Sequence, residues 1–256
     1  MDINLKYNML ATLTGRETIF LGQKLVVRGI KAHSIKFLDE NMKTFEFDKK
    51  NLNIYYSLAR LYKMPLFSFN RNKRKEDQKY FNKNFDKFIF GFDYGLDFDN
   101  HDKTDESFKE CYENTKKVKD LFDEYKVPYE IKSSGSGFHI NINDWVISKS
   151  LIGTKIKNKL EFYTKIIKAL KIILNLKSLD ESVMDIRRIW KAPYSIDVKT
   201  GNIALPLTDI QFEMFDFKML KPESVMKLKL FKRGNLERDG TVEGFNKFLN
   251  DYVVEE

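Results

Sequence analysis

The stretch KFIFGFDYGLDFD, residues 87–99, constrains the fold more than any other part of the chain. Seven of its thirteen residues are aromatic or aliphatic, so a strand formed here is apolar on both faces and must lie inside a covered sheet. The run ends in acids, which such a strand delivers at its C-terminal end. A helix follows: Phe108, Cys111, Thr115, Val118, Phe122 and Tyr125 recur at three- and four-residue steps, Asp105 and Glu106 suit the first turn, and Pro128 lies beyond the end. PYEIKSSGSGFHINI then reads as strand, glycine turn, strand. In its second strand Phe138, Ile140 and Ile142 share one face and His139, Asn141 and Asn143 the other, so His139 is expected to point away from the core.

A second long helix is expected from the stripe Ile156, Leu160, Tyr163, Ile167, Leu170 and Leu174. Residues 178–207 supply short strands and turns, and TVEGFNKFLNDYV a closing helix. Upstream, IFLGQKLVVRGIKAHSIKFL suggests strands joined by glycine turns, LNIYYSLARLY a short helix with Ile54, Leu58 and Leu61 on its apolar side, and RNKRK, residues 71–75, a basic loop. Helices and strands are interspersed, which predicts an α/β or α+β fold. No repeat and no Gly/Ser- or Pro-rich linker divides the sequence, so residues 1–256 are expected to form one domain.

Composition narrows the function classes. Cys111 is the single cysteine, which excludes an internal disulfide and any cysteine-based zinc or iron–sulfur site and suggests a reducing, intracellular setting. No stretch approaches a membrane span and MDINLKYNML lacks a signal-peptide layout, so a soluble, cytoplasmic protein with no membrane partner is expected. The net charge of +8 favours a polyanionic partner, although a lysine-, isoleucine- and asparagine-rich composition of the kind AT-rich genomes impose accounts for part of it.

Three segments carry chemistry. In GLDFDN, Asp97 and Asp99 are two residues apart after the aromatic run; on a strand they face the same way, and such a pair repels itself unless a cation lies between. Oxygen-only ligands suit Mg²⁺ or Mn²⁺. Asp93 is a rival ligand, because Asp93 and Asp97 flank Gly95. In SGSGFH, the glycines allow close backbone approach, and Ser134, Ser136, nearby N–H groups and His139 could hold a phosphate. Neither a GK[ST] P-loop nor a G-x-G-x-x-G after a strand is present. In DESVMDIRRIWKAPYSIDVKTG, Asp180 could complete a carboxylate trio, while Arg187, Arg188, Lys191 and Lys199 lie within thirteen residues of one another. Shared carboxylates for two metals, with cations and a histidine for a triphosphate, equip a site for in-line phosphoryl or nucleotidyl transfer.

FDYGLDFD, SGSGFHI and LDESVMDIRRIWKAPYSIDVKTG resemble, in order, the three motifs of the archaeo-eukaryotic primase superfamily, which includes the small catalytic primase subunit and the primase-polymerases of plasmids and phages. The resemblance covers roughly Phe88 to Leu207 and implies a primase-like catalytic core with an RRM-like sheet and a smaller α/β part. It implies that Asp97, Asp99 and Asp180 are metal ligands for two Mg²⁺ or Mn²⁺ ions. Ser134, Ser136, His139, Arg188, Lys191 and Lys199 would bind the nucleotide. Two positions depart from the family pattern: Asp197 stands where His or Asn is usual, and Lys191 where Arg precedes the proline.

The function so implied is template-directed joining of NTPs or dNTPs on single-stranded or primed DNA, with basic segments such as Arg71 to Lys75 and exposed aromatics meeting the template. A helicase or other replication or repair domain is a further partner in that setting. Two alternatives stand beside it, a non-catalytic nucleic-acid-binding module of the same fold and a metal-dependent phosphodiesterase. A paired-histidine nuclease is disfavoured because His33, His101 and His139 form no H-x-H pair.

Overall fold

The computed structural model describes residues 9–21, 26–30, 36, 40, 53–63, 70–100, 102, 104–197, 199–228 and 239–254. His33, His101, most of the KAHSIKFL end of the segment expected to form strands and most of KLKLFKR fall outside these residues. The described strands are β1 (Arg16–Leu21), β2 (Val26–Ile30), β3 (Asn53–Leu61), β4 (Ile89–Phe92), β5 (Tyr94–Phe98), β6 (Glu130–Ser133), β7 (Phe138–Ile142), β8 (Ile189–Lys191) and β9 (Pro206–Leu207). Residues 9–13 are helical, and the further described α-helices are α1 (Arg71–Lys83), α2 (Asp105–Tyr125), α3 (Asp144–Lys149), α4 (Ile156–Leu174), α5 (Asp209–Glu213), α6 (Pro222–Val225) and α7 (Val242–Tyr252).

The strands make two antiparallel sheets, as an α+β fold requires. One runs β2-β1-β3-β4, with β8 also on β3; the other runs β5-β7-β6-β9. Along one edge of β3, β8 occupies the first half through Tyr55, Tyr56 and Ser57, and β4 the second through Ala59, Arg60 and Leu61. The aromatic run is therefore two strands in two sheets, divided at Asp93. That carboxylate is buried and holds the crossing: Arg16 and Arg60 ion-pair with it, and the Asp144 backbone N–H donates to it at 2.9 Å.

Two local expectations are corrected. LNIYYSLARLY is the central strand β3, not a helix. A strand paired on both edges and covered on both faces shows no alternation, so its leucine spacing imitated a helical stripe. RNKRK opens α1 instead of forming a loop: Asn70 caps it, accepting from the N–H groups of Asn72 and Lys73 at 3.0 and 3.3 Å. Good helix formers fill it, and among its described side chains only Phe81 is buried, so no apolar stripe marked it. The helices expected at 105–125 and 156–174 form, as does the closing one, and no described helix is long and apolar enough to cross a membrane.

The second sheet lies between helices and the first sheet. On one face Phe138 meets Phe108 of α2, with ring centroids 5.4 Å apart, and Tyr94 stacks on Tyr163 of α4 at 4.7 Å. The other face carries Asp97, His139 and Lys132 in one row across β5, β7 and β6, and turns toward β8 and β3.

Candidate active site

The cross-strand register of β5 and β7 sets Asp97 opposite His139. Nε2 of His139 lies 3.2 Å from Oδ1 of Asp97 but off the line a hydrogen bond needs, so that buried oxygen has a neighbour and no aligned donor. Asp180 arrives from another direction. The segment before it pairs with the edge of β5, with Asp99 N–H donating to the Ser178 carbonyl at 3.0 Å and Asp180 N–H to the Asp97 carbonyl at 2.9 Å. Asp180 also caps the turn that follows, accepting from the Ser182 backbone and hydroxyl at 2.8 Å each. As a result, one carboxylate oxygen each from Asp97, Asp99 and Asp180 lies within 4.8 Å of the others. Asp93, the rival ligand, is engaged by its two arginines and stands outside this cluster.

Arg188 is the cation nearest these acids. Its Nη2 reaches Asp180 Oδ2 at 2.9 Å and Asp97 Oδ2 at 3.1 Å. Burial pushes the Asp97 carboxyl up, but His139 and Arg188 outweigh it and hold the group below the usual carboxylate range. Burial likewise lowers Arg188, and the two carboxylates more than offset that, keeping the guanidinium charged.

The polar face of β7 is not open to solvent, contrary to expectation. Trp190 of β8 stacks on His139 with ring centroids 4.2 Å apart and an interplanar angle of 24°, leaving the histidine 5% exposed. The indole fits because residue 95 on the neighbouring strand is glycine; a Cβ there would stand 2.1 Å from the Trp190 ring. Lys132, next in the row, is buried against the Tyr56 and Trp190 rings and donates to the Lys191 carbonyl at 2.5 Å. Burial drives His139 down and Lys132 well down, toward their neutral forms. A small cavity of about 40 Å³ adjoins this layer, and the Nδ1 of His139, Oδ1 of Asn141 and Nε1 of Trp190 around it have no protein partner.

The glycine turn lies at the mouth of the site. Gly135 has φ +95°, in the left-handed region, and its carbonyl accepts from the side chains of Thr200 and Asn202 at 3.2 and 2.9 Å. These bonds tie the turn to the KTG segment, and between them opens a cleft of about 690 Å³ lined by Asp99, Asn100, Ser136, Asp197, Lys199 and Phe217. Of the expected nucleotide-binding residues, Ser136 and the exposed Lys199 face this cleft. Ser134 is buried, its hydroxyl accepting from the Gly137 N–H at 3.0 Å, and the Lys191 ammonium is held by Asp197 at 2.7 Å.

Sequence reasoning did not find Trp190, Lys132 or Phe217. Gly95 was the available signal for the first, since a glycine inside an apolar strand marks a close approach.

No protein-family model matches the sequence, and no curated protein matches it. Solved structures do. The polymerase domain of Mycobacterium tuberculosis ligase D, in complex with DNA, superposes with a TM-score of 0.51 at 11% identity over 96% of this chain and 85% of that one. The AEP domain of the cyanophage S-2L primase-polymerase gives 0.47 at 10% identity over 86% of this chain and 96% of that one. At such identity the likeness to the ligase D domain is one of fold alone: the chain has the fold of that polymerase domain.

Proposed function

We propose that the chain is a metal-dependent nucleotidyltransferase of the primase-polymerase type, joining NTPs or dNTPs on a single-stranded or primed DNA template, with residues 1–256 serving as one catalytic unit. The observation that carries this reading is the meeting of Asp97, Asp99 and Asp180 within 4.8 Å, beside a cleft lined by Ser136 and Lys199. Three carboxylates form a hard donor set suited to Mg²⁺ or Mn²⁺, and the buried Asp97 Oδ1 without an aligned donor is an atom that a cation would satisfy. Asp97, Asp99 and Asp180 would hold the two ions. When bound, such ions lower the pKa of an attacking hydroxyl and stabilise charge on a pyrophosphate leaving group.

The chain's own groups bind and orient. Ser136, the N–H groups of its turn and the Lys199 ammonium would meet the triphosphate in the cleft, and Arg188, bonded to Asp97 and Asp180, would be a further donor. His139, clamped under Trp190, would hold the Asp97 carboxylate in place, and the Lys191–Asp197 pair would brace the KTG turn.

A second reading draws on Arg188, whose guanidinium already neutralises Asp97 and Asp180: a nucleic-acid-binding module of the same fold that uses no metal. One experiment separates the two. Labelled primer-template and unprimed single-stranded DNA are offered to the wild type and to Asp97→Ala/Asp99→Ala with Mn²⁺ or Mg²⁺ and either nucleotide set, and products are sized on a denaturing gel. Nucleotide-dependent products that vanish in the variant are expected. No synthesis under any combination, with DNA binding intact, would refute the transferase and favour the module.

A further inference from the structure

We propose that α1 and the aromatic rings beside it form a platform for single-stranded nucleic acid, remote from the carboxylates. Its role as the template's approach rests on the function proposed above; its existence does not. Three large aromatic side chains are exposed in one neighbourhood: Tyr62 at 67%, Tyr80 at 56% and Phe90 at 44%. Tyr62 and Phe90 pair with centroids 5.0 Å apart, and the Tyr62 N–H donates to the Phe88 carbonyl at 2.8 Å. Phe88 in turn meets Tyr80 of α1 at 6.3 Å and carries the Lys63 ammonium over its ring at 5.4 Å. Phe88, itself buried, thus packs Tyr80 of α1 into the same cluster as the exposed Tyr62–Phe90 pair.

Its charge is basic. Lys73, Lys75, Lys79 and Lys83 of α1 are exposed, and Lys63 lies within the ring cluster. Rings and cations alternate along the chain, as Tyr62–Lys63 and Lys79–Tyr80, which is the arrangement that stacks bases while phosphates meet ammonium groups. Protein interfaces are depleted of lysine, whereas Lys63, Lys73, Lys75, Lys79 and Lys83 are all exposed here, so the surface suits a polyanion. Phe90 and Asp97 are seven residues apart, so the platform lies no more than about 25 Å from the acids. A strand of a few nucleotides on the platform would reach the site.

Fluorescence anisotropy of labelled dT and rU oligonucleotides of about twelve nucleotides, within the usual range of single-strand site sizes, tests the proposal. Tyr62→Ala/Phe90→Ala is expected to bind both about tenfold more weakly than the wild type, and Tyr62→Trp/Phe90→Trp to bind them like the wild type. Lys79→Glu/Lys83→Glu is expected to reduce the slope of log affinity against log salt by about 1.4. Thermal unfolding of each variant checks that the fold is kept. Wild-type affinity in the alanine variant, or an unchanged salt slope in the glutamate variant, overturns the platform. Loss of binding in these variants in a chain that makes no product under any metal would retain the platform and overturn the transferase.

Discussion

Lys191 and Asp197, the two positions at which the chain departs from the motif it resembles, are each other's partner: Nζ of Lys191 lies 2.7 Å from Oδ2 of Asp197, both side chains being buried. Taken singly, each departure weakens the match to a nucleotide-binding segment. Taken together, they form a buried ion pair in the turn that carries Lys199, whose N–H donates to Asp197 Oδ1 at 2.9 Å.

The pair can be tested apart from the turn. Asp197→Asn keeps an acceptor for the Lys199 N–H but leaves the buried Lys191 charge without an opposite charge, and is expected to cost about 3–5 kcal/mol. Adding Lys191→Met removes that orphan and should recover most of the loss. Urea unfolding midpoints decide it: equal midpoints for wild type and Asp197→Asn would mean that the pair is not structural.

Asp93 sets an acid limit on the fold. Burial pushes this carboxyl up, yet Arg16, Arg60 and the Asp144 N–H outweigh burial and hold it below the usual range. A group depressed in the folded state adds stability that is complete above its unfolded value, about 3.9, and is lost as pH falls through the lower folded value. Thermal midpoints measured from about pH 5 down to about pH 2 should fall more steeply in the wild type than in Asp93→Asn. At neutral pH the variant, with Arg16 buried and unpaired, should be less stable by about 3–5 kcal/mol.

Gly95 makes room for the indole that covers His139. An added methyl would meet the Trp190 ring at 2.1 Å, so Gly95→Ala must displace Trp190, at an expected cost of about 1–3 kcal/mol. Trp190 is buried and Trp145, the other tryptophan, is 40% exposed, so the displacement should appear as a red shift of emission. A second variant, Trp145→Phe, isolates the Trp190 signal. An unshifted Trp190 spectrum in Gly95→Ala would show that the strand moves instead of the ring.

Much of this was legible in the sequence where local pattern and tertiary role agree. The helices at α2 and α4 expose one face and bury the other, so their stripes were plain; the β6–β7 hairpin carries its own glycine turn; and the acids stand where a strand must end. Legibility failed where both faces are buried. In β3 the alternation is erased, and in the row Asp97–His139–Lys132 a face that reads as polar is sealed by Trp190, about fifty residues along the chain from the histidine it stacks on. The partnership of Asp93 with Arg16 was invisible for the same reason, since it joins residues 77 positions apart.

Arg188 and a divalent cation compete for the same oxygens, and this yields the sharpest quantitative test of the site. The guanidinium bonds Asp97 and Asp180 at 3.1 and 2.9 Å, so a cation entering among the carboxylates must displace it or accept its positive charge as a neighbour. Replacing Arg188 by methionine removes two charge-assisted hydrogen bonds, each worth about 1.5–3 kcal/mol. Asp97 would then face Asp180 without the guanidinium that bonds both. Without metal, Arg188→Met should therefore be less stable than the wild type. With metal the order should reverse: Mn²⁺ titrated by electron paramagnetic resonance should bind at least about tenfold more tightly, because roughly 1.4 kcal/mol of competition or repulsion is gone. In the wild type, Mn²⁺ at about one hundred times its dissociation constant should add about 2.7 kcal/mol of stability, roughly 5–10 °C in Tm for a chain of this size. Asp97→Asn/Asp99→Asn should show no such shift. Equal Mn²⁺ affinity in wild type and Arg188→Met would mean that the cation is held elsewhere, and that the three carboxylates are neutralised by the protein alone.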